Sequence, residues 1–474
     1  MNTLLIDRRG PRRGMAAVLG LVLLGGCASF SSDGGFTPVQ EAARQHLGAD
    51  AVLPRDDAER DLLDRRVAEL LAQPLTAGSA VQIALLNNRG LRSAYQQLGI
   101  AEAELVQAGR LPNPGFSFER KSAGGLLDIE RQFSISVAHL IAMPLTLKLE
   151  QRRFEAVQRI VTQRMLELAA DTRKAYFQAL AADESMRYMG QVLSAAEASA
   201  DLARRMAQVG NWSRLRQARE EGFHADAALN LARAAQAQAA ARERLIRLLG
   251  LWGTQTAFVL AERLPELPDA ADDLPDIERT AMAQRLDIRA ARIASEEMAA
   301  NLGLTRVTGF VNVLDVGVIR NSVSNEPSVR GYSIELEVPI FDWGGAKVAR
   351  AEALYRQSLE QLAEAAVNAR SEVRLAYLNY RASYDIARHY REQLVPNARL
   401  ISDENLLRYN AMQIGVFELL ADARAQIAVV NAAIQAQRDF WLARADLDMA
   451  LLGRASPTAP PSMAMTGAAA SAAH

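Results

Sequence analysis

The chain has 474 residues and a formal net charge of -1 at pH 7. Hydrophobic residues make up 50 % and charged residues 23 %, which suits a folded chain with ample buried surface and excludes bulk disorder. Near-zero net charge gives no electrostatic pull toward nucleic acid; with aromatics at 6 % and Ala abundant throughout, the composition is that of long, closely packed helices.

The first element is a leader. Arg8, Arg9, Arg12 and Arg13 precede an apolar stretch, Met15 to Leu24, too short to span a bilayer as a mature helix. Leu24-Gly25-Gly26-Cys27 closes it and resembles the lipobox of bacterial lipoproteins, in which a peptidase cuts before Cys and the thiol takes diacylglycerol. On this reading 1–26 is a lipoprotein signal peptide and Cys27 the lipid attachment site. The other reading is an ordinary signal peptide with a chance Cys; the chain's single Cys falls at the required position. Ala28 follows, where Asp would favour inner-membrane retention. No later stretch approaches 18 consecutive apolar residues, so a mature chain that crosses a membrane must do so with strands.

After an N-terminal segment, 27–75, helical periodicity runs over about 79–109. Strands follow. Phe116 and Phe118 mark one; in the next, Phe133, Ile135 and Val137 alternate with Ser134 and Ser136. Then comes a stretch from about 145 to 209 without proline and with one glycine, Gly190. As a helix it would reach roughly 95 Å, and such a helix needs partners along its length. A Gly-marked turn leads to a return helix, about 213–250.

The same order then repeats. Arg173-Lys174-Ala175-Tyr176-Phe177 recurs as Arg374-Leu375-Ala376-Tyr377-Leu378, and Phe133-Ser134-Ile135-Ser136-Val137 matches Ile334-Glu335-Leu336-Glu337-Val338. Gly210 with Leu215 matches Gly415 with Leu420, and Leu248-Leu249-Gly250 matches Leu451-Leu452-Gly453. The chain reads as two copies of one unit, 76–263 and 275–453, joined by a linker over 264–274 and followed by a Pro/Ala/Ser tail, 454–474, that cannot bury a core. The second copy places a helix at about 276–306, a strand from Phe310 to Val318 and a turn from Asn321 to Ser328. A strand follows with Tyr332, Ile334, Leu336 and Val338 on one face, then helices at about 345–413 and 417–452.

Strands of this pattern suit a barrel wall with lipid outside and water inside, and equally a soluble half-buried hairpin. The long helices suit a tubular assembly or a simple antiparallel coiled coil. If the strands do form a membrane barrel, four of them cannot close one, since such barrels need about eight or more. Chains must then share it in a symmetric ring, and three chains give about twelve strands with room for a lumen.

At this point the chain resembles the outer membrane factor family, of which TolC is the type, over nearly the whole mature length. Leu111-Pro112-Asn113-Pro114 looks like the family's helix-to-strand passage. Val338-Pro339-Ile340-Phe341-Asp342-Trp343-Gly344-Gly345 looks like its strand-to-helix exit. Arg285-Leu286-Asp287-Ile288 resembles the Arg-Pro-Asp-Leu that opens the second copy, with Leu286 in place of Pro. The first copy departs at its own exit, where His139 to Pro144 stands for a Pro-Leu-Phe-type motif and Pro144 is the candidate for its proline. The lipobox resembles that of the family's lipidated branch, which serves metal and drug pumps.

The resemblance implies a mainly α fold with a small β part. Long antiparallel helical hairpins form an α-barrel, and four strands per chain enter a trimeric transmembrane β-barrel in the outer membrane. It implies a homotrimer working with a periplasmic adaptor and an inner-membrane pump, with no catalysis and no cofactor. Gly210, Leu215, Gly415 and Leu420 fall at the two helix-to-helix turns, which in this family meet the adaptor; the plainer reading is turn glycines and stapling leucines. Positive φ at a tight reversal is the expected reason for both glycines. Glu418 and Asp422, at i, i+4 on one helical face, are candidates for the pore aperture, the alternative being a solvated face with Arg424 nearby to pair. Met463 and Met465 in the tail could touch copper, though a solvated tail needs no such role.

The leading expectation is the outer-membrane channel of a tripartite efflux system, a passive exit duct for small solutes or metal ions. One alternative keeps the fold and exports protein in one step. Another, of a different class, is a structural coiled-coil periplasmic lipoprotein.

Overall fold

The computed structural model of the protein describes residues 29–308, 313–337 and 340–454. The signal segment, Cys27, Met463 and Met465 lie outside the described residues.

The N-terminal segment carries two helices that periodicity did not reveal, α1 (Thr37–Leu47) and α2 (Asp57–Leu71). The first copy continues with α3 (Ala77–Asn87), α4 (Arg89–Ala108), β1 (Gly115–Ala123), β2 (Leu126–Ser136), α5 (Val137–Gln208) and α6 (Arg214–Leu249). The second repeats the order with α7 (Ile277–Gln284), α8 (Leu286–Thr308), β3 (Leu314–Val323), β4 (Val329–Leu336), α9 (Gly345–His389), α10 (Val395–Asn410) and α11 (Val416–Leu452).

Four expected elements differ in detail. The strand expected from Phe310 to Val318 is β3, Leu314–Val323, so Asn321 to Val323, expected in the turn, are strand, and Phe310 lies outside the described residues. The single helix expected in front of each strand pair is two helices, broken at Asn88 and at Arg285. The 72-residue helix α5 begins at Val137, so Pro144 lies inside it and does not end a strand. The stretch expected over 345–413 widens into one π turn, Tyr390–Leu394, just ahead of Pro396. Proline has no N–H to donate, and the register slips there, with the Val395 N–H bonded to the Tyr390 carbonyl.

Two compact units are present, and they do not coincide with the two copies. Among the described residues, one holds those of 29–37, 95–161 and 289–365; the other holds 38–94, 162–288 and 366–454. All four strands belong to the first. They form a single antiparallel sheet in the order β1-β2-β3-β4, so the two hairpins join through β2 and β3 while β1 and β4 are its edges.

The second unit is helical and buries the apolar seams of both copies. In the first copy Ile83, Tyr176, Phe177, Leu180, Leu245 and Leu249 form one cluster, joined by Leu63, Val67 and Leu75 of the N-terminal segment. In the second, Ile277, Val373, Tyr380, Phe440 and Leu447 form another. Trp441 packs against both: its ring stacks on Phe177 at 5.3 Å and meets Phe440 edge-on at 5.1 Å. The repeat-related tyrosines do the same work in each copy. Tyr176 donates its hydroxyl proton to the Leu75 carbonyl at 2.9 Å, and the Leu274 N–H donates to the Tyr377 hydroxyl at 3.3 Å. Each fixes the chain just before the first helix of its own copy.

Candidate functional site: the sheet and the helical turns

Strand alternation sorts the sheet into two chemically distinct faces. The register aligns Phe116, Phe133, Val318 and Tyr332 in one row across all four strands. These side chains are between 57 % and 79 % exposed, although the Phe116 and Phe133 rings touch at 4.8 Å. Toward the helices the row continues as Ile135, Val316 and Ile334, then Leu314 and Leu336. Exposed Ile340, Phe341 and Trp343 follow β4. Of the expected alternation, Val137 falls in α5 and Val338 outside the described residues; the rest lies where the pattern put it.

The opposite face carries Ser117, Glu119, Lys121, Asp128, Glu130, Gln132, Ser134, Asp315, Asn321, Ser333 and Glu335, with Ile319 among them and Leu126, Val323 and Val329 beside the hairpin links. Lys121 pairs with Glu119 at 3.1 Å. Gln132 donates to the Ser333 hydroxyl at 2.9 Å, reaching across Gly317. A Cβ at Gly317 would stand 2.6 Å from the Ser333 Oγ and 2.8 Å from the Phe133 carbonyl, so only glycine fits beneath that bond.

The N-terminal segment is strapped to the same unit. The Ser31 N–H donates to the buried Glu102 carboxylate at 2.6 Å, and the Gln158 amide donates to the Gly35 carbonyl at 3.0 Å. Asp33 accepts from the Thr37 hydroxyl at 2.6 Å and its N–H at 2.8 Å; these bonds, the hydroxyl first, hold its carboxyl well below the usual range.

In the helical unit the first turn follows α5. Gly210 takes φ 79°, its N–H bonds the Ala207 carbonyl, and the Asn211 N–H bonds Met206 across the turn. Ser213 then caps α6 by accepting from the Arg216 N–H at 3.3 Å. The second turn has the same bonds from different residues. Met412, at φ 60°, bonds Tyr409, and the Gln413 N–H bonds Arg408. Gly415 is at φ -84° in extended conformation and caps α11.

The expectation that Gly415 supplies a positive φ is therefore corrected. Met412 stands where Gly210 stands, and Gly415 where Ser213 stands. Leu215 then corresponds to Phe417, and Leu420 to Ala218. Leu215 is exposed; Leu420 is half-buried. Met412 bears a Cβ in the left-handed region, which costs a non-glycine residue roughly 1–2 kcal/mol. Its side chain is 93 % exposed, so little packing is lost on its removal. Met412→Gly is expected to raise stability by roughly 0.5–1 kcal/mol and Gly210→Ala to lower it by about 1 kcal/mol, read as shifts of the denaturant midpoint.

Glu418 is exposed in the first turn of α11, and Asp422 is half-buried and accepts from the Asn405 amide. Arg424 pairs with neither. It reaches Glu220 on α6 at 3.1 Å and lies 4.2 Å over the Phe223 ring. Glu220 is 1 % exposed and also accepts from the Ser199 hydroxyl at 2.8 Å. Sequence spacing gave no sign of this buried carboxylate, because its partners come from α5 and α11. Among the described residues no helix is long and apolar enough to cross a membrane.

No protein-family model and no curated protein sequence matches the chain. Solved structures do. A membrane protein from Pseudomonas aeruginosa aligns at 20 % identity with a TM-score of 0.69, over 80 % of this chain and 90 % of that one. The open state of the MtrE outer membrane channel of Neisseria gonorrhoeae aligns at 22 % identity with a TM-score of 0.61, over 80 % and 90 %. CusC, described in connection with transmembrane channel formation, aligns at 18 % identity with a TM-score of 0.64, over 80 % and 92 %. With its duplicated helical hairpins and its meander of four strands drawn from both copies, the chain has the outer membrane factor fold.

Proposed function

We propose that the chain is an outer-membrane channel subunit that trimerises into a passive exit duct. The observation that carries this reading is the sheet. It has one broadly exposed apolar face, one polar face, and two edges, β1 and β4, with no strand beyond them among the described residues. Unpaired edges beside an apolar face are tolerated in neither water nor lipid. Pairing β1 of one copy with β4 of the next in a ring of three removes every edge and gives a barrel of about twelve strands with a lumen.

The finer reading is a tripartite efflux system for small solutes or metal ions, with a periplasmic adaptor and an inner-membrane pump as partners. Gly210, Leu215, Gly415 and Leu420 would meet the adaptor, and Glu418 and Asp422 would line the aperture. Two turns closed by the same hydrogen bonds offer such a partner two like loops, with Met412 in the place of Gly210 and Gly415 in that of Ser213. Lipidation at Cys27 fits the strap four residues on, where the Ser31 N–H is held by Glu102 of the sheet-bearing unit. Cys27→Ser is expected to abolish incorporation of labelled palmitate while leaving the protein assembled.

The test is native mass in detergent, by light scattering corrected for bound detergent, on protein extracted from the outer membrane. Three subunits are expected. A monomer in the soluble periplasmic fraction would overturn the channel reading, since four strands cannot close a pore.

A further inference from the structure

The apolar face of the sheet is not uniformly apolar. One step beyond the row of Phe116, Phe133, Val318 and Tyr332, the register aligns Phe118, Arg131, Arg320 and Arg330. The next row adds Arg120 beside Ile129 and Ser322. All four arginines of the strands lie on this face, and no acid does. Every strand acid, Glu119, Asp128, Glu130, Asp315 and Glu335, lies on the other face together with Lys121. Among the described residues none of the four arginines forms an ion pair; Arg131 lies 5.9 Å over the Phe118 ring. Solvation alone would not sort charge this way. A face that needed only solubility would mix signs.

The position of the row narrows the ligand. It lies toward the hairpin links, 123–126 and 324–328, and away from the helices. From Leu314 to Arg320 is about 20 Å along the strand. Exposed Ile340, Phe341 and Trp343 come after β4 in the chain, at the end of the strand that leads to the helices. The arginines thus stand where an apolar band close to the roughly 25 Å of a barrel wall gives out. An arginine at that boundary meets headgroups. Its planar fork of donors matches phosphate oxygens two at a time, and it is weakly hydrated compared with lysine.

We propose that Arg120, Arg131, Arg320 and Arg330 form a phosphate-binding belt for the phosphorylated glycolipid of the outer leaflet. This rests on the channel reading, which sets the helices in the periplasm and the hairpin links outside. In a ring of three chains the belt repeats around the wall and holds the barrel at a fixed depth.

The experiment uses the full-length protein in detergent, mixed with diphosphorylated lipid A or its dephosphorylated form, gel-filtered and examined by native mass spectrometry. Wild type is expected to retain the diphosphorylated form at least about tenfold over the dephosphorylated one. The combined Arg120→Gln, Arg131→Gln, Arg320→Gln and Arg330→Gln variant is expected to lose that preference. The corresponding Lys variant keeps most of it, and Lys121→Gln on the other face changes nothing. Conductance in planar bilayers reports whether each variant still assembles. Equal retention of both lipids by a conducting wild type, or undiminished preference in a conducting Gln variant, would overturn the belt and leave the channel intact. A chain that neither inserts nor conducts would overturn both.

Discussion

Replacing Arg285 with methionine is expected to destabilise the protein by about 3 kcal/mol, the largest loss foreseen for a single side chain here. Arg285 is 1 % exposed and stands at the break between α7 and α8. Its guanidinium donates to both Asp287 oxygens at 3.0 and 2.6 Å, to Glu372 on α9 at 2.7 Å, and to the Ala450 carbonyl in the last turn of α11 at 3.2 Å. One cation therefore ties the start of the second copy to both long helices of its hairpin. Methionine fills similar volume but leaves two carboxylates without a counter-ion and a terminal helix carbonyl without a donor. The carboxylates are partly exposed, at 19 % and 32 %, which sets the cost at the lower end of the range for a broken buried pair. Glu372→Gln, which removes one charge and keeps a hydrogen-bonding group, should cost about 1 kcal/mol.

Charge and packing separate in a further variant. If the stranded carboxylates dominate, Arg285→Met combined with Asp287→Asn and Glu372→Gln will be more stable than Arg285→Met alone, measured as a coupling energy from denaturant midpoints. If the combined variant is less stable than the single one, packing dominates and the ion pairs count for little.

The first copy makes the same joint with different chemistry. The Asn87 side-chain amide donates to the Leu249 and Gly250 carbonyls at 3.1 and 2.8 Å, and Asn88 donates to Leu248 at 2.9 Å. Gly250, at φ 68°, packs so closely there that a Cβ would stand 2.9 Å from the Asn87 carbonyl oxygen. This joint shows what the sequence could reveal. The repeat was legible because it is written in apolar periodicity and in the Tyr176 and Tyr377 landmarks, which local reading detects. The breaks at Asn88 and Arg285 were not, because each depends on carbonyls more than 150 residues away along the chain. The second turn misled for another reason. Glycine is the usual left-handed residue, so Gly415 drew the match to Gly210, and nothing local marks a methionine as taking positive φ. The strand faces were legible residue by residue, from alternation alone. The pairing of β2 with β3, which assembles the arginine row and the acidic face across two copies, was not, since register between distant hairpins is set in three dimensions.

The acidic face supports the second large prediction, a cation preference that salt abolishes. Lys121 pairs with Glu119 and stands directly across from Asp128, so one base faces five acids, Glu119, Asp128, Glu130, Asp315 and Glu335, on that side of the sheet. If that face lines the lumen, three chains place the acids in rings around a water-filled bore. Low-dielectric walls focus the field of such rings and raise the local cation concentration. The permeability ratio of K+ over Cl- in planar bilayers is expected to exceed unity several-fold at about 0.1 M salt, where the screening length is about 10 Å, and to fall toward unity at about 1 M, where it is about 3 Å. Neutralising the four acids as Asp128→Asn, Glu130→Gln, Asp315→Asn and Glu335→Gln should remove most of the preference at low salt. Glu418→Gln and Asp422→Asn test the helical turn separately. Were those two substitutions alone to abolish selectivity, the narrowest point of the duct would lie at the turn and the sheet acids would only line a wide vestibule. Were the sheet substitutions alone to abolish it, the barrel itself would select, and the surplus of acids over bases on its inner face would be the reason the exit favours cations.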